Sequence, residues 1–553
     1  MIAIVCALAI FAAACGSKKD TAGGTTATTG AQTNITLADN GQPKSGGTLV
    51  FGLEAESDGF NPTVNRWAIS GTEVGLAVFD PLVAFDANSQ PQPYLAQSVT
   101  PNADFTVWTI TVRPNIKFHD GTPLTGAAIT TMFNAHLASA LTKPVLAPIS
   151  KVETTGELTS QITMKTPWVT FEYSLTSQVG MVPAPSMFDS AGKATDASQK
   201  APVGTGPFVY QSWTPDQSFK ASKNPNYWRQ GLPYLNSIEF RPIPDSSTRS
   251  SALQTGDINM MHTSDFTQVV KFRQLAKDGQ AQIVEDNGEG EEDFLMVNTQ
   301  DPAVKDVRVR KAMALALDRQ TFNQVINAGI GEDATGDFKP TSKWYVKTDY
   351  PDYDPVAAKA LVDQIVADTG QVPTFTIGTT PSPINQQAVQ LIQQNFQAAG
   401  MKVDVKTTEQ SQFIADGVTG AYQVNLWRQF GAVDPDADAI WWYSANAGDG
   451  AKGGLTLNIA RNKDPKIDAA LDQGRSTTDE ATRKQAYAVV QNQMAADFPY
   501  IWINHALWAV VANNNVRGIT NGPLPDGQPS LPIGGAGDFG GVVRFTQTWL
   551  TTS

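Results

Sequence analysis

The histidines, the side chains used most often for catalysis and metal binding, are scattered along the chain. They are His119, His136, His262 and His505. None belongs to a His-Glu-x-x-His motif, and the chain contains neither a Gly-x-Ser-x-Gly nucleophile elbow nor a Walker A loop. Ser190 and Lys193 have Ser-x-x-Lys spacing, but they lie in the Gly- and Ala-rich stretch FDSAGKATD instead of on a helix. We therefore predict no enzyme, no metal site and no cofactor.

His119 and Asp120 are adjacent and have the chemistry of an acid–base pair. They also stand in Phe118-His119-Asp120-Gly121, which has the composition of a tight turn. In such a turn the Asp bonds local backbone and the Gly supplies a positive φ. We predict a structural turn here.

The stretch VNLWRQFGAVDPDADAIWWYS, residues 424–444, places aromatic side chains next to charged ones. We expect Trp427, together with Trp441 or Trp442, to flank a ligand, because each indole offers a large apolar face. Arg428 would then meet a carboxylate or another oxygen-rich group. If Arg428 is buried, it must pair with Asp434 or with the ligand, since an unpaired buried charge is costly. In the alternative, Trp441 and Trp442 only cover a sheet and Arg428 is solvated.

A strand and a pair of helices lie before this surface. Residues 294–297, FLMV, form an apolar run suited to a buried strand, and the turn-forming residues 298–302, NTQDP, end it. Asp306 and Asp318 are placed to cap the two helices that follow.

Strands and helices alternate further along the chain. The predicted elements are a helix capped by Asp354 and reaching about Val366, a strand at 375–377, a helix at 386–399, a strand at 403–405 and a helix at 480–497 capped by Asp479. Such alternation predicts an α/β lobe with a substantially parallel sheet. Earlier elements are strands at 48–52, 107–112 and 161–164 and helices at 127–137 and 246–255.

The N-terminus has the pattern of a secreted lipoprotein. Residues 2–14 are apolar or small, and the run is shorter than the ~20 residues of a membrane-spanning helix. It ends in Ala12-Ala13-Ala14-Cys15, which resembles a lipobox with Cys15 as the acylated residue. No Lys or Arg precedes the run, so we expect the true start to lie upstream. The alternative is a plain cleaved signal peptide with an incidental Cys.

Composition agrees with an ordinary globular protein. The 553 residues include 40 Lys+Arg and 53 Asp+Glu, for a formal net charge of −13, which makes nucleic acid an unexpected partner. Only Cys6 and Cys15 are present, so the mature body has no disulfide. Residues 16–47 are rich in Thr, Gly and Ala and are predicted to be a disordered tether with a reach of roughly 30 Å.

Several segments resemble one family, the large extracytoplasmic solute-binding proteins of peptide and nickel ABC transporters. The residues that carry this resemblance are FLMVNTQDPAVKDVRVRKAMALALDR at 294–319, KFHDG at 117–121, GTGP at 204–207 and RPIPD at 241–245. The resemblance implies an α/β fold of the periplasmic-binding-protein-like type II, with two lobes, a hinge of crossing strands and an extra subdomain in the first lobe. It also implies that the strand at 294–297 crosses between the lobes.

The resemblance further implies ligand-contacting positions. The first strand is followed by a loop whose Asn61-Pro62 pair faces the cleft, with Trp67 close behind, although both residues could simply fold the loop. Trp427 matches the family's strand-ending Trp, and Asp434-Pro435 matches its Asp-Pro. Trp502 lies in the segment that returns to the first lobe. The family's amine-binding acid would fall near residues 430–432, where this chain has Phe, Gly and Ala.

These expectations define one architecture. Residues 1–15 form a signal peptide and 16–47 the tether. The first lobe consists of 48–80, 203–297 and 508–553, with 81–202 as its extra subdomain, and 298–507 form the second lobe.

The predicted function is capture of di- or oligopeptides by a monomer that is anchored to the outer face of the membrane through Cys15. The partners are then an ABC permease and its ATPase subunits. The alternatives are the same fold binding a glycan or another non-peptide solute, and a scaffold or regulator that does not transport.

Overall fold

The computed structural model describes residues 35–39, 41–286, 288, 291–537 and 539–551. The predicted signal peptide, Cys15 and the first part of the predicted tether lie outside these residues. The remainder of the tether departs from our expectation. Residues Ile35–Thr36 form a strand that pairs with Val284 and Ile283, and the backbone N–H of Ala38 donates to Gln282 Oε1 at 3.0 Å. Ordered chain therefore begins before residue 48.

The strands, β1 to β22 in chain order, are Ile35–Thr36, Thr48–Leu53, Val83–Phe85, Pro91–Pro93, Ala96–Pro101, Val107–Val112, Ile149–Gly156, Thr159–Met164, Phe208–Thr214, Ser218–Lys223, Ser237–Pro242, Met260–Thr263, Gln282–Asp286, Glu292–Val297, Glu332–Asp333, Thr374–Thr379, Lys402–Thr407, Val424–Gln429, Tyr500–His505, Trp508–Ala512, Val516–Arg517 and Trp549–Leu550. The α-helices, α1 to α14, are Ile69–Val78, Gly126–Ala138, Phe171–Ser174, Asp196–Lys200, Ser246–Thr255, Phe266–Lys277, Val307–Ala316, Arg319–Val325, Pro355–Thr369, Pro383–Ala398, Gln410–Thr419, Pro435–Asp438, Pro465–Ser476 and Glu480–Asp497.

An eight-stranded sheet, in the order β1-β13-β20-β12-β2-β11-β10-β9, forms the centre of what we call the first lobe. The strand β2 runs parallel to both β11 and β12, whereas the other neighbours are antiparallel. Large buried side chains such as Phe51, Phe240 and Trp508 fill the core on one face. A four-stranded antiparallel sheet, β5-β6-β8-β7, packs with α2 around a separate core and forms the subdomain.

A six-stranded sheet, in the order β15-β19-β14-β18-β16-β17, forms the centre of the second lobe. We expected a substantially parallel sheet, but only the pairs β16–β17 and β16–β18 are parallel. The pairs that involve β14 and β19 are antiparallel. The strand β14 enters the sheet from the first lobe, whereas β19 follows α14 and leads back to β20 of the first lobe, so these two strands run in opposite directions. The sheet is therefore mixed.

The chain passes between the lobes before β14 and again between β19 and β20. The strand β14, which we assigned to the end of the first lobe, hydrogen-bonds to β18 and β19 inside the second sheet. The first crossing therefore lies between the end of β13 at Asp286 and the start of β14 at Glu292, ahead of the predicted boundary after residue 297. The second crossing lies between His505, the last residue of β19, and Trp508, the first residue of β20.

Helix starts follow the caps that the sequence predicts. Carboxylates of Asp306, Asp318, Asp354 and Asp479 accept backbone N–H groups at 2.8–2.9 Å in the first turn of their helices. Asp120 likewise accepts the backbone N–H of Thr122 at 3.0 Å, and Gly121 has a φ of 86°, as predicted for a structural turn. Across the described residues, no helix is both long and apolar enough to span a membrane.

Candidate functional site

A cavity of about 1090 Å³ separates the two lobes. Its walls come from the loop after β2 in the first lobe, from the subdomain around Trp168 and Tyr173, and from α10, α11 and residues 426–441 of the second lobe. Its volume is at the upper end of that of small-molecule pockets, which run from roughly 300 to 1,000 Å³. The cavity is thus large enough for a ligand of several residues.

Arg428 stands on the floor of this cavity and joins the lobes. Its strand, β18, belongs to the second lobe, but its Nη2 lies 2.8 Å from Glu54 Oε1 and its Nη1 donates to Ser264 Oγ at 2.6 Å, both in the first lobe. Its Nε is 3.4 Å from Glu291 Oε2, and its guanidinium lies 4.3 Å from the ring centroid of Trp508. Arg428 therefore forms an ion pair with Glu54 across the two lobes and is not a solvated side chain.

This pairing corrects the partner that we expected for Arg428. Asp434 is bound on both oxygens by Arg483, at 2.6 and 2.9 Å, entirely within the second lobe. Asp434 also accepts the backbone N–H of Asp436 as the N-cap of α12. Its carboxylate borders the cavity but has a structural partner.

The carboxylates around Arg428 have shifted pKa values. Burial raises the pKa of Glu291 to about 7, against the opposing charge of Arg428. Burial also raises the pKa of Asp293. Burial alone would raise the pKa of Glu54 as well, but the charges of Arg428, His262 and Arg249 and the hydrogen bond from Arg428 together outweigh it, and the pKa is lowered. The protonation of each of these carboxylates on the floor of the cavity thus depends on burial and on the charge of Arg428.

Three of the predicted tryptophans line the cavity. Trp427 stacks on Phe413 with ring centroids 5.3 Å apart and donates from Nε1 to Gln429. Trp67 donates from Nε1 to the Gly59 carbonyl at 2.9 Å. Trp441 also lines the cavity, and its Nε1 has no hydrogen-bond partner among the residues described. That indole can donate to a ligand.

The other predicted site residues lie outside the cavity lining. Asn61 is fully buried, where it donates to Ser198 and accepts the backbone N–H of Thr63, so it folds the loop. Trp442 packs against Phe430, and Trp502 packs edge-on against Phe294 in the second core. Adjacent residues point in different directions, so Trp441 reaches the cavity and Trp442 reaches the core. The sequence alone does not reveal which of the two does so.

A second interlobe contact closes the cavity beside the subdomain, and sequence reasoning missed it. Asp436 Oδ1 pairs with Arg475 Nε at 2.7 Å, and Oδ2 accepts the indole N–H of Trp168 at 2.7 Å and the hydroxyl of Thr170. The backbone N–H of Val169 donates to the Arg475 carbonyl at 3.0 Å. We call this group the subdomain latch. These partners are too far apart in sequence for a local pattern to join them.

Glu54 was also missed, although the sequence held a signal. It directly follows β2, at the carboxyl end of a strand that has parallel neighbours, where α/β proteins commonly place ligand-binding groups.

The described residues offer no metal site. Among them, no group of three or more His, Cys, Asp or Glu side chains is arranged to hold an ion.

Comparison with known proteins assigns this architecture to a family. The model of the bacterial extracellular solute-binding proteins, family 5 middle, matches residues 90–451. The glutathione-binding protein GsiB of Pectobacterium atrosepticum is 27% identical over 439 residues, which cover 78% of this chain and 83% of GsiB.

Solved structures of similar proteins share the fold. The periplasmic binding protein DppA of Helicobacter pylori, in complex with the peptide STSA, superposes with a TM-score of 0.79 at 23% identity, over 92% of this chain and 98% of DppA. AgaA from A. tumefacien R10, in complex with agropinic acid, gives a TM-score of 0.77 at 24% identity, over 92% and 99%. The predicted α/β class is thus confirmed. The chain belongs to family 5 of the bacterial extracellular solute-binding proteins, which are non-catalytic substrate-binding proteins of ABC importers.

Proposed function

We propose that this protein captures small peptides in the interlobe cavity and delivers them to the membrane permease of an ABC importer. The observation that carries the proposal is the cavity of about 1090 Å³, which combines tryptophan walls with charged groups of both signs. A peptide offers matching features, because its side chains suit apolar walls and its termini and amides suit polar ones. GsiB is named for binding glutathione, itself a small peptide, and the DppA structure holds a tetrapeptide.

Ligand binding favours the closed arrangement of the lobes. A peptide that contacts Trp67 of the first lobe and Trp427 of the second binds best when the two are close together, so it shifts the population toward closure. The Arg428–Glu54 pair and the bonds from Trp168 and Thr170 to Asp436 form only in that arrangement, because each joins one lobe to the other. The permease then receives the closed, loaded form.

A non-peptide solute is the second candidate. Phe430 occupies the place where the resemblance led us to expect an acid, and it is buried against Phe294 in the second core. This segment therefore offers a ligand amine no carboxylate, and the tryptophan walls also suit a sugar or an opine. AgaA is an example of the same fold that holds agropinic acid. A scaffold role has less support, since we expected a scaffold to fill its cleft with its own side chains.

Native mass spectrometry of the chain from residue 35 onward, as purified, tests the proposal. Adducts on the monomer that are identified after denaturation as small peptides or glutathione would support it. One defined non-peptide adduct would move the assignment to another solute. If no adduct is present, calorimetric titration with glutathione, di- to nonapeptides and opines follows, and no binding in that panel would contradict solute capture.

Attachment to the membrane through Cys15 is part of the same proposal. An acylated Cys15 would hold the body at the outer face of the membrane. We expect mass spectrometry of the mature N-terminus to find lipid on Cys15, and Cys15→Ala to release the protein into the soluble fraction. An unmodified Cys15, or a protein that stays in the membrane after the substitution, would contradict the anchor.

A further inference from the structure

We infer that Asp293, on the floor of the cavity, is the residue that receives a positively charged ammonium group of the ligand. This inference rests on the proposed function and deepens it, because it narrows the ligand to a solute with a free amine. It also assigns the binding of the amine to β14, the strand of the second lobe that follows the first crossing. Residues 430–432, where the resemblance led us to expect the amine-binding acid, are not involved.

Asp293 is held in place before any ligand arrives. Its Oδ2 accepts from Asn504 Nδ2 at 2.8 Å, and Asn504 Oδ1 in turn accepts from Asn327 Nδ2 at 3.0 Å. All three residues line the cavity, and both asparagines are buried. The pairing of β14 with β19 shifts register directly after Asp293, and such bulges commonly re-aim side chains beside binding sites. The carboxylate is therefore preorganised.

The second oxygen of Asp293 is available. Its Oδ1 has no hydrogen-bond partner among the described residues, although the side chain borders the cavity. The neighbouring Glu291 is only 3% exposed, and its Oε2 accepts the indole N–H of Trp508 at 2.6 Å while its Oε1 has no partner in the described part of the chain. Asp293 borders the cavity, so a donor on a bound ligand can reach its Oδ1.

The charges at the floor favour a cation. Glu54, Glu291 and Asp293 surround Arg428, and the other nearby cation, Arg249, is bonded to the carbonyls of residues 243, 244 and 262. Three carboxylates thus face two guanidinium groups. Burial raises the pKa of both Glu291 and Asp293 despite the nearby charge of Arg428, so Arg428 offsets the cost of burying their ionised forms only in part. A ligand cation would offset the rest.

The geometry selects an organic cation. The three carboxylates are not grouped as metal ligands, since the described residues contain no such group of three or more. An ammonium group has three donors and can donate hydrogen bonds to acceptors on different strands. A peptide N-terminus, or the amine of an amino-acid conjugate, has this chemistry.

A peptide library tests the inference. The protein from residue 35 onward is incubated with an equimolar mixture of di- to pentapeptides, each in a free and an N-acetylated form, and retained peptides are quantified by mass spectrometry. We expect free peptides to be retained roughly ten- to a hundred-fold better than their acetylated forms, the effect of one charge-assisted hydrogen bond. In Asp293→Asn, which keeps an acceptor for Asn504, this preference should disappear. Asp363→Asn, on the exposed surface of α9, makes the same charge change and should keep the preference.

The outcomes separate the two proposals. Equal retention of free and acetylated peptides by the wild-type protein would overturn the role of Asp293 and leave peptide binding standing, and this comparison needs no variant to fold. Retention of neither form would overturn peptide capture and the ammonium site together. A preference that persists in a folded Asp293→Asn protein, as judged by its melting temperature, would also overturn the inference.

Discussion

Arg428 and Glu54 are 374 positions apart in sequence, but their side chains meet at 2.8 Å across the boundary between the lobes. Both are partly shielded, with side chains 25% and 22% exposed. Their contact exists only when the lobes are together. This ion pair between two cavity residues therefore stabilises the closed form.

Removing the cation should destabilise the protein. Arg428→Met leaves Glu54 and Glu291 without their shared partner, and loss of one member of a buried pair typically costs about 3 kcal/mol. The measurement is the free energy of unfolding in urea. Lys359→Ala, which breaks a surface ion pair with Asp363, should change it by less than about 0.5 kcal/mol. The double variant Arg428→Met/Glu54→Gln should be more stable than Arg428→Met alone, because Glu54 is no longer left as an unpaired charge. If its loss of unfolding free energy equalled the sum of the losses in the two single variants, the two side chains would not be coupled.

Stability should depend on pH through Glu291. Its pKa rises to about 7 in the folded protein, so between pH 5 and pH 7 the folded state holds a proton that the unfolded state has released. The contribution of this group is therefore present at low pH and is lost as the pH rises through 7.

The comparison of Glu291→Gln with the wild type isolates this contribution. Relative to the wild type, the variant should gain roughly 2–3 kcal/mol of unfolding free energy between pH 5 and pH 8. The groups that face Glu291 are Arg428, Glu54 and Asp293, and they are the same in both proteins. Glu157→Gln, on the exposed subdomain surface, serves as the control, and a curve for Glu291→Gln that parallels this control would argue against the shift.

The subdomain latch should control opening. Asp436→Ala removes the acceptor for Trp168, Thr170 and Arg475, so the lobes should separate more often. We expect a larger radius of gyration in solution scattering and weaker binding of whichever peptide is found to bind.

Asp434→Ala is a matched control for the latch. It breaks a buried pair with Arg483 that lies within the second lobe. This change should lower stability without enlarging the particle. If both variants, or neither, change the scattering profile, the latch has no specific role in closure.

The tryptophans should divide into a binding group and a core group. Trp427→Ala removes a cavity wall and should weaken peptide affinity at least about ten-fold, because most of a large apolar contact is lost. Trp442→Ala removes a core side chain packed on Phe430 and should cost about 3–5 kcal/mol of unfolding free energy. Titration calorimetry and urea unfolding of both variants measure the division. If Trp427→Ala and the wild type bound the peptide with equal affinity, Trp427 would not contact the ligand.

The sequence by itself determined the local structure and the family. Asp306, Asp354 and Asp479 are capping residues at the start of long amphipathic segments, and the helices begin there because cap and helix lie within three or four residues of one another. The family signature at 294–319 and the lack of a catalytic motif needed only residues close together in the chain.

Only the tertiary structure decided which side chains meet. Arg428 pairs with Glu54 and not with Asp434, Trp441 reaches the cavity while Trp442 reaches the core, and β14 joins the second sheet. Each of these outcomes depends on the relative position of segments that are far apart in sequence. No local propensity encodes that position; it follows from how the cores pack and how the two lobes close on each other.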